Sequence, residues 1–356
     1  ASGTCIALLR LHLLARDESL LPCVMTACGL AMAVAVSVAQ SGCIRFDSYL
    51  LFLDAAHLYR LAATCLIYFL PIFLGALAIG LAFARHVPSI KELYCANLIG
   101  SGAGAVLAVL LMRRFAAESL PGLIACLPLL AGMSLMRGVL MRLFGFLALC
   151  LAVVCTIHPP TLELSEFKDL KRALDLPGST IVSTRNSPLG VLQIVEGPAL
   201  RYAPGVSLTY GGDAPICPIV FKNGDWFGPI QSWNPALRDS ILDYTTGAAA
   251  YALKVPERVL VLDAGTGAGV VQGLLHARTV TAVEPHPSAA EMLSRLSPGN
   301  KRLRVFSEGA RAFLGRDRSS YDLIVLPMAN TFGGSSGINA LAENHLLTIE
   351  GVTQTW

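Results

Sequence analysis

Charge is what this chain has least of. Asp, Glu, Lys and Arg make up 14% of its 356 residues against 54% hydrophobic ones, and a mean hydropathy of +0.60 is too apolar for an ordinary soluble protein of this size. A net charge of +3, with no basic stripe carrying interleaved aromatics, excludes nucleic acid as the natural partner. The ten cysteines contain no Cys-x-x-Cys pair and the seven histidines have no ligand spacing, so no metal site is expected. Nine of those cysteines (Cys5, Cys23, Cys28, Cys43, Cys65, Cys95, Cys126, Cys150 and Cys155) lie in the apolar half, leaving Cys217 alone in the other. Buried apolar thiols are the favoured reading over disulfides.

Long apolar runs are abundant instead, and they crowd into the first half. Residues 20–43, 61–84, 93–112, 119–136 and 143–157 are uncharged or nearly so, and most approach the ~20 residues needed to cross a bilayer core. Five transmembrane helices are expected, the last extended by Arg142 snorkelling to the interface. Residues 3–15 are apolar but interrupted by Arg10 and His12, and read as the end of a span whose beginning is missing. Gly100 and Gly104, in a run of small residues, predict close helix packing, and Asn97 one turn earlier should find a partner inside the bundle. Basic residues are balanced between the loops, so charge does not orient the bundle.

At His158-Pro159-Pro160 the pattern changes. Residues 163–175 carry Glu166, Lys168, Asp169, Lys171 and Arg172 on an expected juxtamembrane helix. Short β-rich runs follow at 180–184, 190–195, 206–210 and 219–222, punctuated by Gly and Pro, and predict a small antiparallel sheet. A helix is expected over 236–253.

The most informative segment comes next. Arg258-Val259-Leu260-Val261-Leu262 is a short, β-branched apolar run of the kind that forms a buried parallel strand. Asp263-Ala264-Gly265-Thr266-Gly267-Ala268-Gly269 then supplies backbone without Cβ atoms at the strand's carboxyl end, with a helix N-terminus offering free N–H groups. Glu284 closes the next strand, about 20 residues on, where an acid can accept from both ribose hydroxyls. A dinucleotide fold would want glycine in place of Val270; the G-x-G-x-G spacing suits an S-adenosylmethionine-type fold better. Helix, strand, helix and strand follow at 288–296, 302–306, 309–314 and 321–326.

The expected fold is therefore a multi-pass α-helical membrane domain followed by α/β. The latter comprises a small antiparallel β module and a methyltransferase-like, Rossmann-like doubly wound sheet, truncated at the C-terminus so that the chain reads as a fragment. The expected boundaries are 1–157 for the membrane domain, 158–177 for a linker helix, 178–235 for the β-rich domain and 236–356 for the nucleotide-binding domain.

Together these features resemble the spermidine synthase (polyamine aminopropyltransferase) family, in its membrane-embedded branch. Tyr94-Cys95-Ala96-Asn97-Leu98-Ile99-Gly100 through Gly104 is similar to that branch's span motif. Ser187-Pro188-Leu189-Gly190 and Tyr202-Ala203-Pro204-Gly205 are similar to its β-rich entry domain, and Leu242-Asp243-Tyr244-Thr245-Thr246 and Glu343-Asn344-His345-Leu346-Leu347-Thr348 also resemble it. The resemblance implies a transferase that binds S-adenosylmethionine or its decarboxylated form, with no metal. Cofactor contacts would come from Asp263, Gly265, Thr266, Gly267 and Gly269, the ribose acid would be Glu284, and Glu308 would stand where the family has an adenine-contacting aspartate. Because adenosyl cofactors are cytosolic metabolites, the domain after Ile157 should face the cytoplasm.

The chain departs from the family where the chemistry lies. Thr266 replaces the aspartate that helps hold the aminopropyl donor, Pro327-Met328-Ala329-Asn330 replaces the segment bearing the proton-accepting aspartate, and of the polyamine-pocket cluster only Tyr244 remains. Without carboxylates a pocket has neither the charge to hold a polycation nor a base for the attacking amine. Methyl transfer, or nucleoside binding by a non-catalytic membrane sensor or scaffold, are the alternatives. Catalytic residues are unassigned; Asp263 and Tyr244 are candidates only. Gly333-Gly334-Ser335-Ser336-Gly337, with His345 downstream, fits a serine-hydrolase elbow, but Ser335 lies several residues beyond the strand and a lid is the better reading. The expected partners are a nucleoside and the lipid bilayer, with a homo-oligomer left open.

Overall fold

The structure, a computed structural model, describes residues 19–202, 205–231, 233, 240–327 and 346–355. The apolar stretch 3–15, the glycine-rich segment 333–337 and His345 lie outside them. The chain divides into two compact units, Ala1–Glu163 and Leu164–Trp356.

The first unit contains five helices long and apolar enough to cross a membrane by length and composition: α1 (Leu20–Ala39), α2 (Ala55–Arg85), α3 (Ile90–Arg114), α4 (Leu120–Leu135) and α5 (Val139–Ile157). Short 3-10 turns at Val87–Ser89 and Ala117–Ser119 lead into α3 and α4. Helices α1, α4 and α5 meet around Ala33, Ala125, Leu129, Ala148 and Ala152. Close approach there depends on glycine: a Cβ on Gly29 would stand 2.6 Å from Leu129 Cγ, and one on Gly122 2.8 Å from the Ala152 carbonyl oxygen.

One expectation for this unit fails. Helix α3 has no buried residue, and a Cβ on Gly100 or Gly104 would meet no described atom within 4 Å, so the G-x-x-x-G pair packs on nothing within the described chain and Asn97 finds no buried setting. The close contacts are made by Gly29, Gly122, Gly132 and Gly145 instead, because α3 runs beside the bundle rather than through it. The nine described cysteines of the chain are free thiols. Arg142 lies within the first turn of α5, where its Nε donates to the Met136 carbonyl at 2.7 Å.

The second unit opens with α6 (Asp169–Leu174), shorter than the expected linker helix and part of the β module rather than a spacer. Leu170 and Ala173, three residues apart on one face, bury against Val195, Ile219 and Phe221. Asp169 Oδ2 accepts from the Trp226 N–H at 2.9 Å, fixing the helix under the sheet. The sheet has the order β1 (Thr180–Arg185), β2 (Leu192–Glu196), β3 (Ile219–Lys222), β4 (Asp225–Pro229), antiparallel throughout. The run at 206–210 is not a strand: the Ser207 carbonyl and hydroxyl accept from the Tyr210 and Thr209 N–H groups and close a turn. In its place β4 completes the sheet after a two-residue turn at Asn223 and Gly224, whose φ values of +53° and +83° suit a tight hairpin.

The helix expected over 236–253 is broken where it is described. Residues Ile241–Tyr244 and Thr246–Ala248 form 3-10 turns and only α7 (Ala249–Leu253) is α-helical. The Ser240 hydroxyl accepts from Leu242 N–H, the Thr245 hydroxyl donates to the Leu242 carbonyl, and Gln272 Nε2 donates to that same carbonyl, so side chains take over the bonds a helix would have made.

A parallel sheet follows with the order β7 (Leu303–Phe306), β6 (Thr279–Val283), β5 (Arg258–Leu262), β8 (Leu323–Val325). Helices α8 (Ala268–His276), α9 (Pro287–Leu296) and α10 (Ala310–Arg316) connect these strands, and α11 (Ile349–Thr355) ends the described chain. Both faces are covered: Val259, Val261 and Val280 pack with Val270, Leu274 and Leu293, while Leu260, Leu262 and Val283 pack with Phe313 and Leu346. This explains why these strands are continuous apolar runs rather than alternating ones. The chain builds β5, β6 and β7 outward in one direction and then crosses back to place β8 on the other side of β5, so the strand order reverses between β5 and β8. A helical region of apolar helices followed by an α/β region with a parallel sheet is thus the architecture.

Candidate functional site

In open α/β sheets, ligands bind at the carboxyl ends of the strands where the order reverses. Here that place is the loop after β5. Asp263, Gly265 and Gly267 all have positive φ, +51°, +59° and +103°, so the chain reverses in a left-handed path before α8 begins. Gly267 also admits a close neighbour, since a Cβ there would lie 2.5 Å from Leu296 Cδ1 and 2.7 Å from Leu293 Cδ2. Gly267→Ala should therefore destabilise the second unit by about 2–4 kcal/mol through combined backbone strain and overpacking. Urea unfolding followed by tryptophan fluorescence measures this unit selectively, because Trp226, Trp233 and Trp356 are the chain's three tryptophans.

Glu284 locks the loop. Its Oε2 accepts from Gly265 N–H at 2.8 Å and its Oε1 from His286 N–H at 2.9 Å, while its own N–H donates to the Phe306 carbonyl at 3.0 Å. One carboxylate thus ties the ends of β5 and β6 to the start of α9. Each oxygen retains a second lone pair with which it can accept a further donor. The side chain is 3% exposed, and burial pushes its pKa up to about 7, against the opposing pull of the two backbone N–H groups.

Three residues that the sequence did not single out come close to this loop and its carboxylate. His286 is fully buried; its Nε2 lies 3.2 Å from the Gly190 carbonyl and so carries the proton, leaving Nδ1 with no partner among the described residues. Burial lowers its pKa. Lys222, at the end of β3, is close enough to lower the pKa of Asp263, Glu284 and His286 alike, and its Nζ stands 5.8 Å from the Phe227 ring centroid. Burial nonetheless raises the Asp263 pKa. Gly228 in β4 is the third: a Cβ there would fall 2.3 Å from Thr266 Oγ1, so the β module lies against the glycine loop and covers Thr266, which is 4% exposed. Nothing local in the sequence signals these approaches, although the Asn223-Gly224 turn marks the hairpin that delivers β4.

Of the remaining expected site residues, Gly269 faces Pro327, whose Cγ would be 3.4 Å from an added Cβ. Pro327 thus stands just beyond β8, against the glycine loop. Glu308 lies two residues beyond β7, at the same carboxyl edge of the sheet, but its carboxylate pairs with Arg316 of α10. Gly265 and Glu284 are in direct contact; Glu308 shares their edge without touching them in any recorded bond. Tyr244 packs against Tyr210, ring centroids 5.0 Å apart, and Asp243 pairs with His276 at 2.6 Å.

No family model matches the chain, and no curated protein matches it in sequence. Among solved structures, a spermidine synthase in complex with the transition state analogue AdoDATO is similar over 49% of this chain and 51% of its own, at 14% identity and a TM-score of 0.32. The spermidine synthase from Thermotoga maritima is similar over 49% of this chain and 52% of its own, at 13% identity and a TM-score of 0.32. The chain spans about half the length of these structures.

Proposed function

We propose that the second unit binds an adenosyl nucleoside at the loop of residues 263–269 and that the protein is a membrane-anchored, spermidine synthase-like transferase whose donor is S-adenosylmethionine. The observation that carries this reading is the Gly265 N–H to Glu284 bond beside the reversal of strand order. The left-handed loop brings bare backbone to the crevice, the first N–H groups of α8 have no carbonyl within the helix, and Glu284 keeps two lone pairs for ribose hydroxyls.

Two further features favour the carboxylated nucleoside over the decarboxylated one. Thr266, buried under Gly228, offers no negative charge to repel a ligand carboxylate, and Lys222 offers a cation close to the loop. The absence of a carboxylate at Pro327 and around Tyr244 argues against a polycationic amine as acceptor. Bound S-adenosylmethionine supplies an electrophilic methyl group, and the chain's contribution would be mainly to hold the nucleoside in register with an acceptor. The five apolar helices would anchor it, with the second unit on the cytoplasmic side.

Calorimetric titration of the full chain in lipid nanodiscs tests this directly. S-adenosylmethionine is expected to bind at least as tightly as its decarboxylated form, with little aminopropyl transfer to putrescine. Strong preference for the decarboxylated nucleoside with efficient putrescine turnover would overturn the choice of donor, and binding of neither would overturn the site.

A further inference from the structure

Glu284 is joined to the β module through a single side chain. His286, just ahead of α9, donates its backbone N–H to Glu284 Oε1 at 2.9 Å and its Nε2–H to the Gly190 carbonyl at 3.2 Å. The imidazole is fully buried, and its Nδ1 has no partner among the described residues, so the bond to Gly190 is what its polar edge contributes. The far end of that bond is also fixed. Gly190 has φ +125°, which glycine alone adopts readily, and a Cβ on it would stand 2.9 Å from the Asn223 side-chain nitrogen. That close approach lets Asn223 Oδ1 accept from the Val191 N–H at 2.9 Å while the Asn223 N–H donates to the Val191 carbonyl at 2.9 Å. A run of hydrogen bonds thus leads from the Gly265 N–H through Glu284 and His286 to the turn between β3 and β4.

Other contacts between the β module and α9 are of a different kind. Leu192, Val220 and Phe227 pack with Ala289, and Arg185 pairs with Glu291 at 2.8 Å with both side chains substantially exposed. Apolar packing is non-directional and an exposed ion pair holds weakly. Neither sets the position of Glu284, whereas the His286 bond does so through the backbone of the same residue.

We propose that His286 is a positioning residue that couples docking of the β module to occupancy of the nucleoside site, an inference that rests on the nucleoside reading above. Ribose hydroxyls on Glu284 favour the state in which the carboxylate is held toward Gly265, and the His286–Gly190 bond is made in that same state. Because coupling is reciprocal, a docked β module raises nucleoside affinity by the factor with which the nucleoside favours docking. His286 does this without touching the ligand.

The test is calorimetric titration of S-adenosylmethionine into the full chain in nanodiscs, with hydrogen exchange measured on the free and bound protein. His286→Gln places an amide N–H where Nε2 stands, whereas the shorter amide of His286→Asn stops near Nδ1 and does not reach Gly190. Affinity should fall about five- to tenfold in His286→Ala and His286→Asn, and His286→Gln should restore most of the loss. The nucleoside should slow exchange of the Val191 and Asn223 N–H groups in the native chain and in His286→Gln. That protection should vanish in His286→Asn while protection of residues 263–269 persists. A purely structural histidine would lower the melting temperature of its variants and leave the remote protection in place. Thermal unfolding shows whether each variant is folded; should His286→Ala not fold, the Gln and Asn pair still decides. Equal affinities in that pair, or unchanged protection of Val191 and Asn223 in His286→Asn, would overturn the coupling and leave the nucleoside reading intact. No binding by the native chain would overturn that reading and the coupling with it.

Discussion

Replacing Glu284 with alanine is expected to unfold the second unit at markedly lower urea concentration and to weaken nucleoside binding in whatever folded protein remains. The substitution removes two buried acceptors at once, orphaning the N–H groups of Gly265 and His286. Each unmatched donor costs about 1–3 kcal/mol, so the two together cost about 2–6 kcal/mol, a large share of a typical domain's stability of about 5–15 kcal/mol. Affinity for an adenosyl nucleoside should fall by roughly 1–3 kcal/mol as well, because the ribose loses its acceptor. Glu284→Gln should be intermediate, since one oxygen is kept while an amide N–H is turned toward a backbone N–H. Tryptophan fluorescence during urea titration gives the first quantity and calorimetry the second. Unchanged stability in Glu284→Ala would show that water or a rearranged loop replaces the carboxylate without loss.

That double role explains which parts of the molecule could be read in advance. The segment from Val259 to Glu284 was legible because its signals are local: an apolar strand buried on both faces, glycines where φ must be positive, an acid at the end of the next strand. The five apolar helices were legible for the same reason, since length and composition suffice. Packing between distant segments was not. Gly100 and Gly104 advertise a close contact that α3 does not make, whereas Gly29 and Gly122, isolated in sequence, do make one. The run at 206–210 has strand composition, but the Ser207 side chain and carbonyl satisfy the backbone in a turn. Conversely β4 was overlooked although Asn223-Gly224 announced it. Lys222 and Gly228 reach the site only because the β module folds onto the parallel sheet, a contact set by Leu192, Val220 and Phe227 meeting Ala289, and His286, two residues after Glu284, meets that module through the Gly190 carbonyl. No spacing rule connects residues so far apart in the chain.

Stability and nucleoside affinity should respond to pH in opposite directions. Glu284 has its pKa raised from 4.5 to about 7 in the folded protein by burial. Below 4.5 the folded and unfolded forms both hold the proton. As pH rises toward 7, the unfolded chain releases it while the folded one keeps it, so the folded state binds more protons and loses stability with increasing pH. The contribution is largest at low pH and gone above the folded pKa, about 3 kcal/mol in all and about 2–3 kcal/mol between pH 5 and 8. His286, whose pKa burial depresses, works against this trend at low pH, because the unfolded chain takes up a proton there that the folded chain does not. Other carboxylates titrate too, which makes the measured quantity the difference between the native chain and Glu284→Gln. Ribose hydroxyls, however, donate best to the ionised carboxylate, whose fraction rises from about one in ten at pH 6 to about nine in ten at pH 8, an approximately ninefold gain in affinity. Urea titrations and calorimetry at the two pH values read both slopes. A protein that grows less stable while it binds more tightly would identify one buried carboxylate as the common origin; parallel slopes, or none, would mean that Glu284 is ionised throughout and that its two backbone bonds outweigh its burial.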